Sequence, residues 1–120
     1  MINCNIISIG DELLVGQVIN TNATMIASKL TEIGTYVQKN VTIPDEKEDI
    51  LNALSESYDN FNITIVTGGL GPTNDDITKE CACSFFDCNL VFNQDAYDRL
   101  LENFKDRKEY ITKENEMQAW

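Results

Sequence analysis

At 120 residues, 42% of them apolar, the chain has the size of one domain and enough apolar content for a single core. A net charge of −11 argues against a nucleic-acid surface, which needs clustered Lys and Arg, and the lack of any histidine excludes His-based acid–base catalysis, catalytic triads and imidazole metal sites. No apolar run approaches a membrane span, and the N-terminus MINCNIISIGDE lacks the basic start and cleavage site of a signal peptide, so a cytoplasmic protein is expected.

The elements alternate along the chain. NIISIG (5–10) is a short apolar run ending in glycine, as a buried parallel strand would be. From Asn22, the residues Ala23, Ile26, Ala27, Leu30 and Ile33 recur at helical spacing, and Gly34 stands where a C-terminal cap belongs. TYVQKNVTI (35–43) reads as a strand polar enough for a sheet edge, ended by Pro44. DEKEDILNALSESY (45–58) opens with acids suited to a helix N-terminus and sets Ile50, Leu51, Leu54 and Tyr58 on one face. FNITIVTGG (61–69) is a third strand, 75–88 a third helix and 93–107 a fourth, with Tyr97, Leu100, Leu101 and Phe104 aligned; LVF (90–92) between them suits a further short strand. The tail 109–120 has weak periodicity and an apolar end. This order predicts an α/β fold: a mostly parallel open sheet with helices on both faces, a three-layer αβα sandwich.

Of the four cysteines, Cys81, Cys83 and Cys88 fit no paired zinc spacing. On a helix Cys81 and Cys88 share a face with Ile77 and Phe85, so the cysteines are expected to be structural.

The chemistry concentrates in TIVTGGLGPTNDDITKE (64–80). In an open α/β sheet, ligands collect beyond the carboxyl ends of the strands, and GGLG lies at such an end. Its glycines leave backbone N–H groups open to a phosphate or carboxylate, and a helix N-terminus follows. It is neither a Walker A loop nor a dinucleotide fingerprint, whose third glycine is replaced by Asn74. A plain turn, with Thr73 as N-cap and Asp76 three residues on, explains it equally well. Asp75 and Asp76 either stabilise a helix dipole or, because two carboxylates repel the anion the loop invites, hold a divalent cation between loop and phosphate. The first strand end repeats the pattern with Gly10, Asp11, Glu12 and Gly16. Asn20 to Asn22 serve as a helix cap or as ligand contacts. With the first and third strands adjacent, Asp11 or Glu12 would face Asp75 and Asp76 across a crevice.

SIGDELLVGQVINTNATMIASKL and IVTGGLGPTNDDITKE together resemble the N-terminal domain of the competence/damage-inducible CinA family, part of the molybdopterin-binding (MoaB/Mog-like) superfamily. The superfamily pattern is met by Thr67, Gly68, Gly69, Gly71, Asp76 and Thr78, and the CinA variant of it by Pro72, Thr73 and Asp75. The resemblance implies metal-dependent hydrolysis of ADP-ribose to AMP and ribose 5-phosphate, with Mg²⁺ or Co²⁺ as cofactor. It implies that Asp76 and Asp11 hold the metal directly or through water, with Asp75 beside them as a further catalytic candidate. The backbone of Gly68, Gly69 and Gly71, with Thr73 and Asn22, would bind the nucleotide, and Glu12 or Glu80 would be the base. Lys79 would neutralise developing charge, or else form only surface pairs with Asp75 and Asp76. A non-catalytic molybdopterin- or nucleotide-binding module, or an inactive fragment, is the alternative. The resemblance also implies a partial domain over 1–120 without the deamidase domain of longer relatives. An open sheet edge would then favour self-association.

Overall fold

The computed structural model describes residues 1–107 and 110–120; of the tail 109–120, residue 109 lies outside them. Strand β1 (Asn3–Ile9) is buried in all but its first residue, because it runs down the middle of a three-stranded parallel sheet ordered β2-β1-β3. β2 (Tyr36–Ile43) pairs with β1 from end to end but for a register shift that skips Gln38, and alternates exposed with half-buried residues over its first part, as the edge expected from its polarity. β3 (Ile63–Thr67) lines the other side of β1, with Ile6 opposite Ile65 and Ser8 opposite Thr67. The first and third strands are therefore neighbours.

The two-residue period of β1 divides the core. Cys4 and Ile6 pack on one face against Ala23, Ile26, Ala27 and Leu30 of helix α2 (Thr21–Glu32). Ile7 and Ile9 pack on the other against Ile50, Leu51 and Leu54 of α3 (Lys47–Asn60) and Ile77 and Cys81 at α4 (Thr78–Phe86). Helices thus cover both faces, and the α/β, three-layer architecture is as predicted. α2 is closed at both ends as its sequence suggests: Asn20 accepts the Ala23 N–H, and Thr35 N donates to Leu30 O (2.9 Å) around Gly34. The remaining elements are α1 (Asp11–Leu14), α5 (Gln94–Asn103), capped by Asn93, and α6 (Lys113–Glu116), which runs into a 3₁₀ turn at Met117–Ala119. None of the helices among the described residues is long and apolar enough to cross a membrane.

Four expectations change. The third helix begins at Thr78 rather than 75, because residues 73–76 close their own turn, in which Asp76 N donates to Thr73 O (3.1 Å). Thr73 is therefore not a helix cap. Cys88 lies beyond the end of α4, past the left-handed Asp87, and is exposed, so of the pair only Cys81 joins the core. Residues 90–92 form no strand. On α3 the buried position is Ser57, seven residues after Ile50; Tyr58, one step round the helix, is exposed and meets Phe85 and Phe86 edge-on.

Candidate functional site

All three strands point their carboxyl ends at one shelf. There the chain supplies Gly10–Asp11–Glu12 after β1, Pro44–Asp45 after β2 and Gly68–Gly69 after β3. The three ends are stitched together: Gly10 N donates to Ile43 O (3.0 Å), and Asp45 N donates to Asp11 Oδ1 (3.3 Å). The glycines are required by proximity. Gly68 has φ +90°, and a Cβ there would fall on the Ile9 carbonyl oxygen. Thr78 locks this corner from the helix side, its hydroxyl donating to Gly68 O (2.8 Å) and its N–H to Gly69 O (3.2 Å).

Four carboxylates gather around the shelf. Asp45 is the one sequence reasoning missed: it read as a helix-starting acid, yet its Oδ1 is buried beside Gly69 without a hydrogen-bond partner. Burial pushes the Asp45 carboxyl above its ordinary value. The Asp11 backbone N–H pulls the other way, and the charges of Asp11, Glu12 and Asp76 add to the rise. The available signal was the repetition of a turn former plus acid, here Pro44–Asp45, at a third strand end. Asp76 behaves oppositely. Its Oδ2 accepts the Thr73 hydroxyl (2.8 Å) and N–H (3.2 Å) and packs on Gly71, where a Cβ would come within 2.6 Å. The Thr73 hydroxyl above all holds its pKa below the ordinary value; desolvation opposes it, and the Thr73 and Gly71 backbone N–H groups add smaller lowering effects. In the cradle that the glycine loop was expected to offer an anion, the Gly71 N–H thus serves the protein's own carboxylate.

The expected site residues fall into two hollows. Glu12, Asn22 and Gly68 line a crevice of about 150 Å³ at the carboxyl ends of β1 and β3, walled by the 12–22 segment and by Asn20, whose Nδ2 donates to the buried Ser8 (2.8 Å). Gly71, Thr73, Asp76 and Lys79 line a larger cavity of about 500 Å³ on the far side of the loop, walled by Met117 and Trp120. Asp11 lines neither hollow and stands on the shelf, where it accepts the Asp45 N–H. Asp75 is exposed and lines neither hollow. Lys79 neither turns to the crevice nor forms an ion pair with Asp75 or Asp76 among the described residues. Its ammonium donates instead to Met117 O (3.1 Å) and Trp120 O (3.2 Å).

The donor set is all oxygen, which suits a hard divalent cation. Among the described residues no three acids or cysteines converge closely enough to hold a metal as a closed cage. The orphaned Oδ1 of Asp45 and the ionised Asp76 fit an ion that takes one or two carboxylates, keeps its water and adds substrate oxygens.

Comparison with known proteins agrees with this geometry. Residues 5–113 match the MoCF_biosynth family, described as a probable molybdopterin binding domain. A CinA-like protein of Kosmotoga olearia is 42% identical over 115 residues, covering 96% of this chain and 28% of its own length. Another, of Chloroherpeton thalassium, is 43% identical over 114 residues, covering 95% and 27%. The chain therefore spans little more than a quarter of the length of these curated relatives. The crystal structure of the protein CinA from Thermoplasma acidophilum superposes with a TM-score of 0.82 at 28% identity, covering 98% of this chain and 68% of that one. The tungsten cofactor synthesizing protein MoaB from Pyrococcus furiosus shares the fold, with a TM-score of 0.68 at 24% identity over 91% of this chain and 66% of that one. With its glycine loop, strand-end acids and three-layer sheet, this chain belongs to the MoCF_biosynth family of molybdopterin-binding-type domains, in its CinA-like form.

Proposed function

We propose that the domain hydrolyses the diphosphate bond of ADP-ribose or a closely similar nucleotide with the aid of a divalent cation, Mg²⁺ or Co²⁺. The observation that carries this reading is the convergence of Asp11, Glu12, Asp45 and Asp76 around a glycine backbone at the three strand ends. Acids and an anion-accepting loop at one place make sense together when the ligand is an anion that brings a cation with it. Asp76 and Asp45 are the residues that would hold the cation, with Asp11 reached through a retained water, and the cation's contribution would be to neutralise the diphosphate and to acidify water. The backbone N–H groups of Gly68 and Gly69 would position a phosphate, the Gly71 N–H being taken by Asp76, and Thr73 fixes Asp76 in its ionised form. Glu12, which lines the crevice, accepts the proton of the attacking water as the new P–O bond forms and the bridging oxygen leaves with the other phosphate.

The test is AMP release from ADP-ribose with Mg²⁺ or Co²⁺, beside Asp76→Asn. Turnover that falls on the order of 10²-fold in the variant is the expected result. A second reading, a pterin- or nucleotide-binding module without chemistry, draws on the lack of a closed metal cage among the described residues and on the family description. Ligand binding by folded protein that releases no AMP would select it.

A further inference from the structure

We propose that Cys83 and Cys88 form a dithiol that a disulfide of the glutathione class oxidises to an intramolecular bridge, a reversible clip on the last turn of α4. This goes beyond the hydrolysis proposed above and depends on none of it. α4 ends in the backbone pattern that folds a helix terminus back on itself. Phe86 is its last residue, Asp87 is left-handed (φ +51°), and the N–H groups of Asp87 and Cys88 both turn back to Cys83 O, the Cys88 bond at 2.9 Å. Such a terminus sets the side chain just past the left-handed residue against one in the last helical turn, a contact usually made by two apolar residues. Here both are cysteines. A bridge needs its two Cα atoms within about 7 Å, and a direct backbone hydrogen bond between the two residues meets that need.

The side chains meet as the backbone suggests. Burial above all, then a hydrogen bond with the Cys88 thiol, pushes the Cys83 thiol above its ordinary pKa, and the charges of Cys88 and Glu80 add to the rise. Exposure divides the roles. Cys88 is open to solvent and Cys83 half-buried, whereas Cys4 and Cys81 are sealed in the core. The Cys88 thiolate therefore attacks one sulfur of glutathione disulfide, forming a mixed disulfide at Cys88 and releasing one glutathione thiolate. Cys83 then loses its proton to solvent, its thiolate attacks the Cys88 sulfur, and the second glutathione thiolate leaves. The protein gives up two electrons and two protons, and the glutathione disulfide takes them as it becomes two thiols. α4 is a nine-residue helix, too short to hold its ends without outside support. Its first residue, Thr78, bonds Gly68 and Gly69, so the clip steadies the element that closes the shelf.

The full chain is equilibrated without air across mixtures of reduced and oxidised glutathione, quenched in acid and weighed intact. It is then cut with chymotrypsin. Phe85 and Phe86 lie between the two cysteines, so cleavage there leaves two peptides joined only by the bridge. The expected product is a monomer lighter by two hydrogens, whose share rises with oxidised glutathione and vanishes in dithiothreitol. Cys88→Ser is expected to lose the bridge, and Cys83→Ser to stop at the glutathione adduct of Cys88. Neither residue belongs to the buried core, and circular dichroism checks that both variants fold. Hydrogen exchange at the Asp87 and Cys88 amides should slow about tenfold or more in the bridged chain. An unaltered chain that stays fully reduced in oxidised glutathione would overturn the proposal. So would a lasting adduct at Cys88, a Cys88-linked dimer in place of the bridge, a bridge that survives in Cys83→Ser, or amide exchange that oxidation leaves unchanged.

Discussion

Asp76 and Thr73 form a unit whose strength a titration can read. The hydroxyl and backbone N–H of Thr73 both point at one carboxylate oxygen, and hydrogen bonds to the charged form lower a pKa. Thr73→Val removes the hydroxyl donor and leaves the N–H, so the Asp76 pKa is expected to rise toward its ordinary value, as read by carboxyl NMR titration. The sign for stability follows. A depressed folded pKa contributes stability that is present above the unfolded value and lost as pH falls through the folded one. The variant should therefore be weaker than the parent at neutral pH, by about 0.5–1 kcal/mol for an exposed, solvent-screened bond. The gap should close under strongly acid conditions, where both carboxyls are protonated. An unmoved Asp76 titration would show that the backbone donors alone hold it. At this scale the sequence was informative about which residues are special and poor about whom they serve. Spacing alone showed that Thr73 and Asp76 pair across three residues. It did not show that the pair closes a turn ahead of the helix, because a capping residue and a turn residue have the same composition.

Between elements, the joint that holds α3 to the sheet is polar. Asn5 Nδ2 donates to Ser57 Oγ (3.0 Å), and Ser57 shares a 2.6 Å hydrogen bond with Thr64 Oγ1, so one buried hydroxyl links α3 with β1 and β3. Asn5 Oδ1 already lacks a partner there. Ser57→Ala would leave the Asn5 amide with no acceptor, and a cost of about 1–3 kcal/mol in denaturant unfolding is expected, far above the effect of a typical exposed serine. A cost below about 0.5 kcal/mol would mean that water replaces the hydroxyl. This joint also shows why parts of the fold were not legible beforehand. Helical periodicity fixes a face only to within a residue, and Tyr58 is the more apolar choice beside Ser57. The selection of Ser57 depends on Asn5 and Thr64, which are 52 and 7 residues away along the chain. The same holds for 90–92: three apolar residues have strand composition, but a strand exists only where a neighbour pairs with it. By contrast, β1 and α2 were legible in full outline, because burial on both faces and a clean 3.6-residue period are local signals.

For the molecule as a whole, −11 of net charge and a shelf of four carboxylates raise one question: does Mg²⁺ bind a site, or merely screen a charged surface? Asp45 separates the two. Its carboxyl is raised in the fold, so what it contributes to stability is fully present below its ordinary value and is lost as pH rises through the folded value. At neutral pH it is a destabilising charge, and Asp45→Asn should raise stability by about 0.5–1 kcal/mol without any cation, the scale of a partly exposed charge interaction. A cation held by the shelf reverses this. At about ten times its dissociation constant it adds about 1.4 kcal/mol to the parent, some 4–6 °C in Tm for a domain of this size. Thermal melts in MgCl₂ and NaCl at matched ionic strength should therefore show an Mg²⁺-specific rise for the parent. Asp45→Asn, starting higher, should show none. Equal responses in parent and variant would reduce the shelf to surface charge and remove the cation from the proposed reaction. Such a trade of stability for a binding site was beyond the reach of sequence reading. Asp11, Asp45 and Asp76 lie far apart along the chain, and only the β2-β1-β3 order brings their strand ends together.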